Sequence, residues 1–411
     1  MIDGSQIAAV LPRQPARVAY PDATPVPLPG RVVLPGLVNT HTHAAMTLLR
    51  GYADDLPLLE WLEQRIWPTE GRWVDEAFVR DGTRIAAHEM LRGGTTTFND
   101  MYFYPDEAVG AAVAAGMRVV AGITYVAAPT RYADTEAVAI ERGIAAADAW
   151  ADHDRVRFML APHSTYAASV ASWESAAGLA EDLGVGIHSH INETWGEVER
   201  HLAHHRRPTV QWLADHGALS PTFLAAHAVH MSRHDMEVAA EYGVAVSHCP
   251  SSNLKLASGF AKVAEMQELG VTVALGTDGA ASNNRLDMFC EMRTAALLAK
   301  AVAKDGAAVD AHTALRMATL DGARALGWDD QIGSLVPGKQ ADLIAVDLSS
   351  AIDAPVYDVA SHLVYVAGRA DVSDVWIAGR AVVVDRRCVN VADGEVRSLA
   401  TQWRDRIRAS G

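Results

Sequence analysis

The first lysine of this 411-residue chain is Lys255, and only Lys262, Lys300, Lys304 and Lys339 follow it. Positive charge is otherwise carried by arginine, and acidic residues prevail, for a net charge of −15. Phosphate binding calls for a basic patch, so this balance argues against nucleic acid as a partner and suits an enzyme for a small molecule. Cysteine is scarce too. Cys249, Cys290 and Cys388 are scattered, form neither a disulfide framework nor a Cys-x-x-Cys site, and fit a reducing cytoplasm. No apolar run reaches the ~18 residues of a membrane helix. Met1-Ile2-Asp3-Gly4 does not open a basic region followed by an apolar one, so no secretory signal is read there. No Gly-x-Gly-x-x-Gly follows the first strand-like run, which speaks against an open dinucleotide-binding sheet.

What the chain has is a rhythm. Half of its residues are hydrophobic, enough for a large core. Strand-like runs recur at 36–40, 95–99, 118–124, 156–161, 185–190, 223–227, 244–248 and 271–276. Between them, stretches such as 75–92, 135–151 and 170–183 carry apolar residues at helical spacing. Alternating strands and helices imply a parallel sheet, and eight units imply closure into an α/β, TIM-type (β/α)8 barrel. Further helices are read near 286–304 and 311–325. Residues 1–35 are Pro-rich and read as edge strands and turns. Residues 333–347 read as a turn and a strand, and 372–378 with 381–385 as a hairpin about Gly379-Arg380. The domains expected are therefore a barrel over 36–332 and a small β-sandwich domain built from 1–35 with 333–411.

Catalytic residues of such a barrel stand at the C-terminal ends of its strands. The first strand ends in His41-Thr42-His43. Side chains alternate along a strand, so both imidazoles point the same way and can grip one ion. A lone His-x-His pair carries little weight. Here the fourth strand ends in His163, the fifth in His188-Ser189-His190 followed by Glu193, the sixth in His227 and the eighth in Asp278. His41, His43, His190 and Asp278 offer three imidazoles and a carboxylate with room for a water, the pattern of catalytic zinc, although iron or manganese suits such donors too. Asp278 is placed to take the water proton, Glu193 to carry protons to the substrate, and His227 to stabilise the tetrahedral state. A two-metal centre in such a barrel commonly uses a modified lysine on the third or fourth strand. The late first lysine removes that bridge and favours one divalent ion per subunit. His188 and His248 read as buried support. His201, His204 and His205 read as solvated, and His230 and His234 as lying on the loop after the sixth strand. Cys249 has no catalytic partner.

The run Pro35-Gly36-Leu37-Val38-Asn39-Thr40-His41-Thr42-His43, His190 with Glu193, His227 and Thr277-Asp278-Gly279 resembles the amidohydrolase superfamily over nearly the whole chain. The stretches 44–58, Ile66-Trp67-Pro68-Thr69-Glu70, Ala161-Pro162-His163-Ser164 and Pro250-Ser251-Ser252-Asn253-Leu254-Lys255-Leu256 resemble, more narrowly, 5-methylthioadenosine/S-adenosylhomocysteine deaminases. Chlorotriazine hydrolases and guanine deaminases share parts of this pattern, so another aminated or halogenated ring (guanine, a pterin, a triazine) is the alternative substrate. The resemblance implies hydrolytic deamination at C6 of an adenine nucleoside. It implies that Glu70 binds the ribose hydroxyls, that His163 contacts substrate, and that Glu193 and Asp278 meet the adenine ring. Arg131 is the candidate for the carboxylate of an S-adenosylhomocysteine tail. Scaffold relatives tend to lose metal ligands, whereas this chain keeps them. A homo-oligomer is compatible with size and family. Only 40 residues precede His41, so the expectation is that either the small domain lacks a strand found in relatives or the start is misassigned.

Overall fold

The structure is a computed structural model and describes residues 1–409. Eight parallel strands follow one another around a barrel in chain order. They are β1 (Leu37–Thr42), β2 (Thr95–Asp100), β3 (Arg118–Tyr125), β4 (Val156–Pro162), β5 (Gly186–Ile191), β6 (Phe223–His227), β7 (Ala245–His248) and β8 (Thr272–Leu275). Both faces are covered, which is why these runs are apolar and small with little alternation. Each lies within a residue or two of its place in the sequence reading.

Side chains close the seam between β1 and β8. Asn39 Oδ1 accepts the Thr277 N–H at 3.0 Å, and Asn39 Nδ2 donates to Thr277 Oγ1 at 2.7 Å. Thr40 Oγ1 donates to the Leu275 carbonyl at 2.9 Å, and the Asp278 N–H donates to the His41 carbonyl at 3.0 Å. Gly276 belongs to this seam, because a Cβ there would meet Ser247 Oγ at 2.5 Å and His41 Cβ at 2.8 Å.

Helices expected near 75–92, 135–151 and 170–183 form as Glu76–Arg92, Glu136–Ala149 and Val170–Leu183. Their starts follow from the caps: Asp75, Thr135 and Ser169 each accept a backbone N–H three residues on. The 311–325 stretch divides into Ala311–Met317 and Leu320–Ala325.

The small domain has a five-stranded antiparallel sheet, in which Arg31–Pro35 pairs with Leu343–Asp347 and Val372–Ile377 follows outward, then Arg380–Val384 and Arg387–Cys388. A second element, the Ile2–Asp3 and Gln6–Ile7 hairpin, bridges to it at Gln340. The hairpin is present, but its two turn residues are Ala378 and Gly379 in place of the Gly379-Arg380 read from the sequence, and Arg380 opens the second strand opposite Ile377. Ala378 and Gly379 both have positive φ, the geometry that a two-residue turn between twisted strands requires. Among the described residues three α-helices of the terminal segments, Arg13–Ala19, Val359–Tyr365 and Asp393–Arg408, lay outside the sequence reading. Arg13–Ala19 interrupts the N-terminal segment and buries none of its residues, so no apolar stripe announced it. Asp393–Arg408 packs back on Glu76–Arg92, with the Trp403 ring edge-on to Phe78 at 5.3 Å and its Nε1 donating to Asp81 at 2.9 Å. No helix among the described residues is long and apolar enough to cross a membrane.

Barrel and small domain are joined by a buried ion pair. Arg118 at the start of β3 reaches Asp342 at 3.1 Å, and both side chains are 1% exposed. Asp342 also accepts the Ala378 N–H at 2.7 Å, and the Arg118 guanidinium lies 5.2 Å from the Trp328 ring centre. Removing one partner strands a buried charge, so Arg118→Met is expected to cost about 3–5 kcal/mol. Urea unfolding checks this, and the paired variant Arg118→Met/Asp342→Leu should recover most of the loss.

Candidate active site

Every strand end named from the sequence opens into one cavity of about 500 Å3, lined among others by His43, Glu70, Arg131, His163, His190, Glu193, His227 and Asp278. Left-handed backbone marks several of these ends: Asn192, His227 and Asp278 have φ of 52°, 67° and 62°. Such conformations cost free energy in residues with a side chain, and they cluster where side chains must be aimed.

At the cavity floor His43 Nε2 lies 3.3 Å from Asp278 Oδ1 and 3.3 Å from His190 Nε2, and His41 Nε2 lies 3.5 Å from Asp278 Oδ1. Donors bound to one tetrahedral zinc at ~2.0–2.1 Å stand roughly 3.3–3.4 Å apart, so the spacing fits one ion. His41 Nε2 is also buried without a hydrogen-bond partner, an uncompensated cost that an ion removes. The far nitrogens are held, as ligating imidazoles require. His43 Nδ1 donates to the Met101 carbonyl at 2.6 Å and His190 Nδ1 to the His163 carbonyl at 2.7 Å. His41 Nδ1 lies 3.0 Å from His188 Nε2, which gives His188 the supporting place read for it. Asp278 Oδ2 accepts from Ser252 and Ser282, each at 2.6 Å, leaving Oδ1 to face the imidazoles. His227 stacks beside His190 and with it and His41 forms a second possible donor group, and its Nδ1 is likewise tied, to Asn253 Oδ1 at 2.9 Å.

Charges follow from burial and neighbours. Burial lowers His41 to about 4, His163 to about 3 and His190 well below the ordinary range, so these imidazoles are neutral. Burial opposes protonation of His43 as well, but the Asp278 carboxylate outweighs it and raises His43 to about 9. An ion at these donors displaces that proton. Burial raises Glu193, which favours its carboxylic acid form. Glu193 Oε1 accepts from Ser258 at 3.4 Å, and Oε2 lies 3.9 Å from His227 Nε2.

Some functional neighbours were not found from sequence. Glu197 takes the Asn192 and Glu193 N–H groups at 3.2 and 2.7 Å and so fixes the turn that aims Glu193. Its spacing, three after Thr194, was a legible helix-start signal. Ser252 and Asn253 lie in the Pro250–Lys255 helix, a stretch noticed without a role. Lys255 anchors the 51–57 loop through Asp54 at 2.6 Å. Tyr102, beside Glu70, had no spacing signal at all. His201 corrects the solvated reading: it is buried 3.0 Å from Thr165. His230 is held by the Ser258 carbonyl at 2.6 Å, while the His234 side chain is exposed. Cys249 is buried and its thiol pushed up, which removes it as a nucleophile.

A sequence model of the amidohydrolase family matches residues 32–382. A 5-methylthioadenosine/S-adenosylhomocysteine deaminase of Moorella thermoacetica is 48% identical over 370 residues, 90% of this chain and 83% of that protein. The structure of an adenosine deaminase from Xanthomonas campestris with bound zinc superposes with a TM-score of 0.97 at 45% identity, covering 99% of this chain and 93% of that one. An atrazine chlorohydrolase from Arthrobacter aurescens, complexed with zinc, superposes at 0.89 with 25% identity, covering 98% and 94%.

One buried acid behind the site sets a pH dependence. Glu291 accepts the Ser251 N–H at 3.1 Å and Asn283 Nδ2 at 2.8 Å, and burial raises it from 4.5 to about 7. Between those values the folded chain keeps a proton that the unfolded chain has released. Its contribution is therefore full below the unfolded value and is lost as pH rises through the folded one, on the order of 3 kcal/mol in all. Glu291→Gln should flatten that part of the profile in denaturant unfolding at about pH 5 and about pH 8; a slope identical to wild type contradicts the assignment.

Proposed function

The chain belongs to the amidohydrolase family, and from that premise we propose that it hydrolytically deaminates adenine nucleosides (5′-methylthioadenosine, S-adenosylhomocysteine and adenosine) to inosine-type products and ammonia. The observation that carries the reading is the meeting, at one cavity, of the donors His43, His190 and Asp278 with His41 directly beneath them, a buried acid in Glu193 and a second carboxylate in Glu70. His41, His43, His190 and Asp278 would hold one divalent ion, with zinc matching the donor set. Bound there, the ion supplies a lowered pKa for water and a positive field beside the developing charge.

The remaining chemistry belongs to side chains. Water attacks C6 while Asp278 takes its proton. Glu193, as the neutral acid, protonates N1, so charge does not build up on the ring. The adduct's hydroxyl proton returns to Glu193, the proton on Asp278 passes to the amino group, and the C6–N bond breaks to release ammonia. His227, oriented by Asn253, stabilises the adduct's oxygen. His163, held neutral, contacts the substrate from the end of β4. Glu70 accepts from the ribose diol. Arg131 lines the same cavity with one guanidinium nitrogen on the Arg72 carbonyl at 2.9 Å and the other 3.9 Å from Asp75 Oδ2, and it would take the carboxylate of an S-adenosylhomocysteine tail in place of that exposed pairing.

Glu193→Gln should lower kcat by about 10²–10⁴-fold with metal content and nucleoside affinity retained, as metal analysis and ligand titration would read. Glu70→Gln should cut kcat/KM for ribosides by about 10–100-fold, the worth of a hydrogen bond to a charged group, and spare a free base. Ammonia release over adenosine, methylthioadenosine, S-adenosylhomocysteine, guanine and a chlorotriazine ranks the substrates; guanine or the triazine at the head contradicts the nucleoside reading.

A further inference from the structure

The carboxylate at the sugar end of the cavity is not free-standing. Tyr102 Oη donates to Glu70 Oε1 at 2.6 Å. Tyr102 is 5% exposed, and among the described residues Glu70 is the hydrogen-bond partner of its hydroxyl. Among the described residues Glu70 Oε2 has no hydrogen-bond partner, and Glu70 lines the cavity. One lone pair of Oε1 is thus committed inward, which fixes the carboxylate plane and leaves Oε2 to the ligand. A buried phenol against a buried carboxylate is costly to keep unless the orientation matters.

The neighbours of Tyr102 extend the point. It follows Asp100 and Met101 directly after β2. The Met101 carbonyl holds His43 Nδ1, and Asp100 Oδ1 accepts the Thr42 hydroxyl at 2.9 Å and the Ala44 N–H at 2.6 Å. Three consecutive residues therefore fix the His-x-His strand and the Glu70 carboxylate together. Glu70 itself comes from the covering segment, in the helix Trp67–Trp73 that follows a wide turn at Leu62–Ile66. A nucleoside has a set separation between its diol and C6, and this strand end sets the matching separation in the protein.

We propose that Tyr102 is a positioning residue for sugar recognition: it orients Glu70 toward the ribose diol and registers it against the reacting end of the cavity. The inference rests on the reading of Glu70 as the diol acceptor. The test compares adenosine with 2′,3′-dideoxyadenosine, which has neither ribose hydroxyl, on the metal-loaded wild type, Tyr102→Phe and Glu70→Gln. Tyr102→Phe should raise KM for adenosine about tenfold with kcat within about twofold. It should leave the dideoxynucleoside nearly unchanged, so the ribo-to-dideoxy preference in kcat/KM shrinks about tenfold; unchanged dideoxynucleoside turnover and metal content also show that the variant is folded. If Glu70→Gln collapses the preference and Tyr102→Phe does not, or if Tyr102→Phe slows both substrates equally, the positioning role is overturned. If Glu70→Gln itself leaves the preference intact, the reading of Glu70 falls and takes the inference with it.

Discussion

The contact on which the rest depends is the seam between the first and last barrel strands. Asn39 and Thr277 are 238 residues apart in the chain, yet they exchange side-chain and backbone hydrogen bonds in the buried interior. That exchange carries Asp278 to the His41-Thr42-His43 pair. No shorter route in the chain could do it, because a parallel barrel brings its first and last strands together only by closing. Closure and assembly of the site are therefore one event. The small residues along the seam, Thr40, Ser247 and Gly276, belong to the same constraint.

Around this seam the site is held from outside by groups that do no chemistry. The end of β2 holds His43 and Glu70, and the short helix Pro250–Lys255 holds Asp278 and His227. Glu197 holds the turn of Glu193, and Glu291 ties the Pro250–Lys255 helix to the loop after β8. Each tie is a buried polar group made affordable by its partner. Catalytic groups set within tenths of an ångström need such support, since their own rotamers do not fix them.

Much of the fold was legible because strand runs buried on both faces differ sharply from the helical pattern between them. The clustering of the candidate metal donors was legible because a two-residue period puts His41 and His43 on one face, and because barrels bring strand ends together. The supporting layer was not. Tyr102 and Asn253 act through contacts that join distant segments, and no spacing encodes them. His201 misled for a related reason: a polar helical stretch looks solvated until Thr165 is brought against it by the fold. The Arg13–Ala19 helix was hidden by its proline and by having no buried face. Glu70 was reached through family resemblance alone, since a single acid after Pro68 looks like any helix start.

The absence of lysine before Lys255 argues for a single ion, and the donor spacing around Asp278 Oδ1 is compatible with one. The most direct test is a titration of chelator-stripped protein with zinc, following bound metal and adenosine deamination together. The account predicts that activity rises linearly and breaks at one equivalent per chain. A break at two equivalents, or full activity with no metal bound, would contradict it.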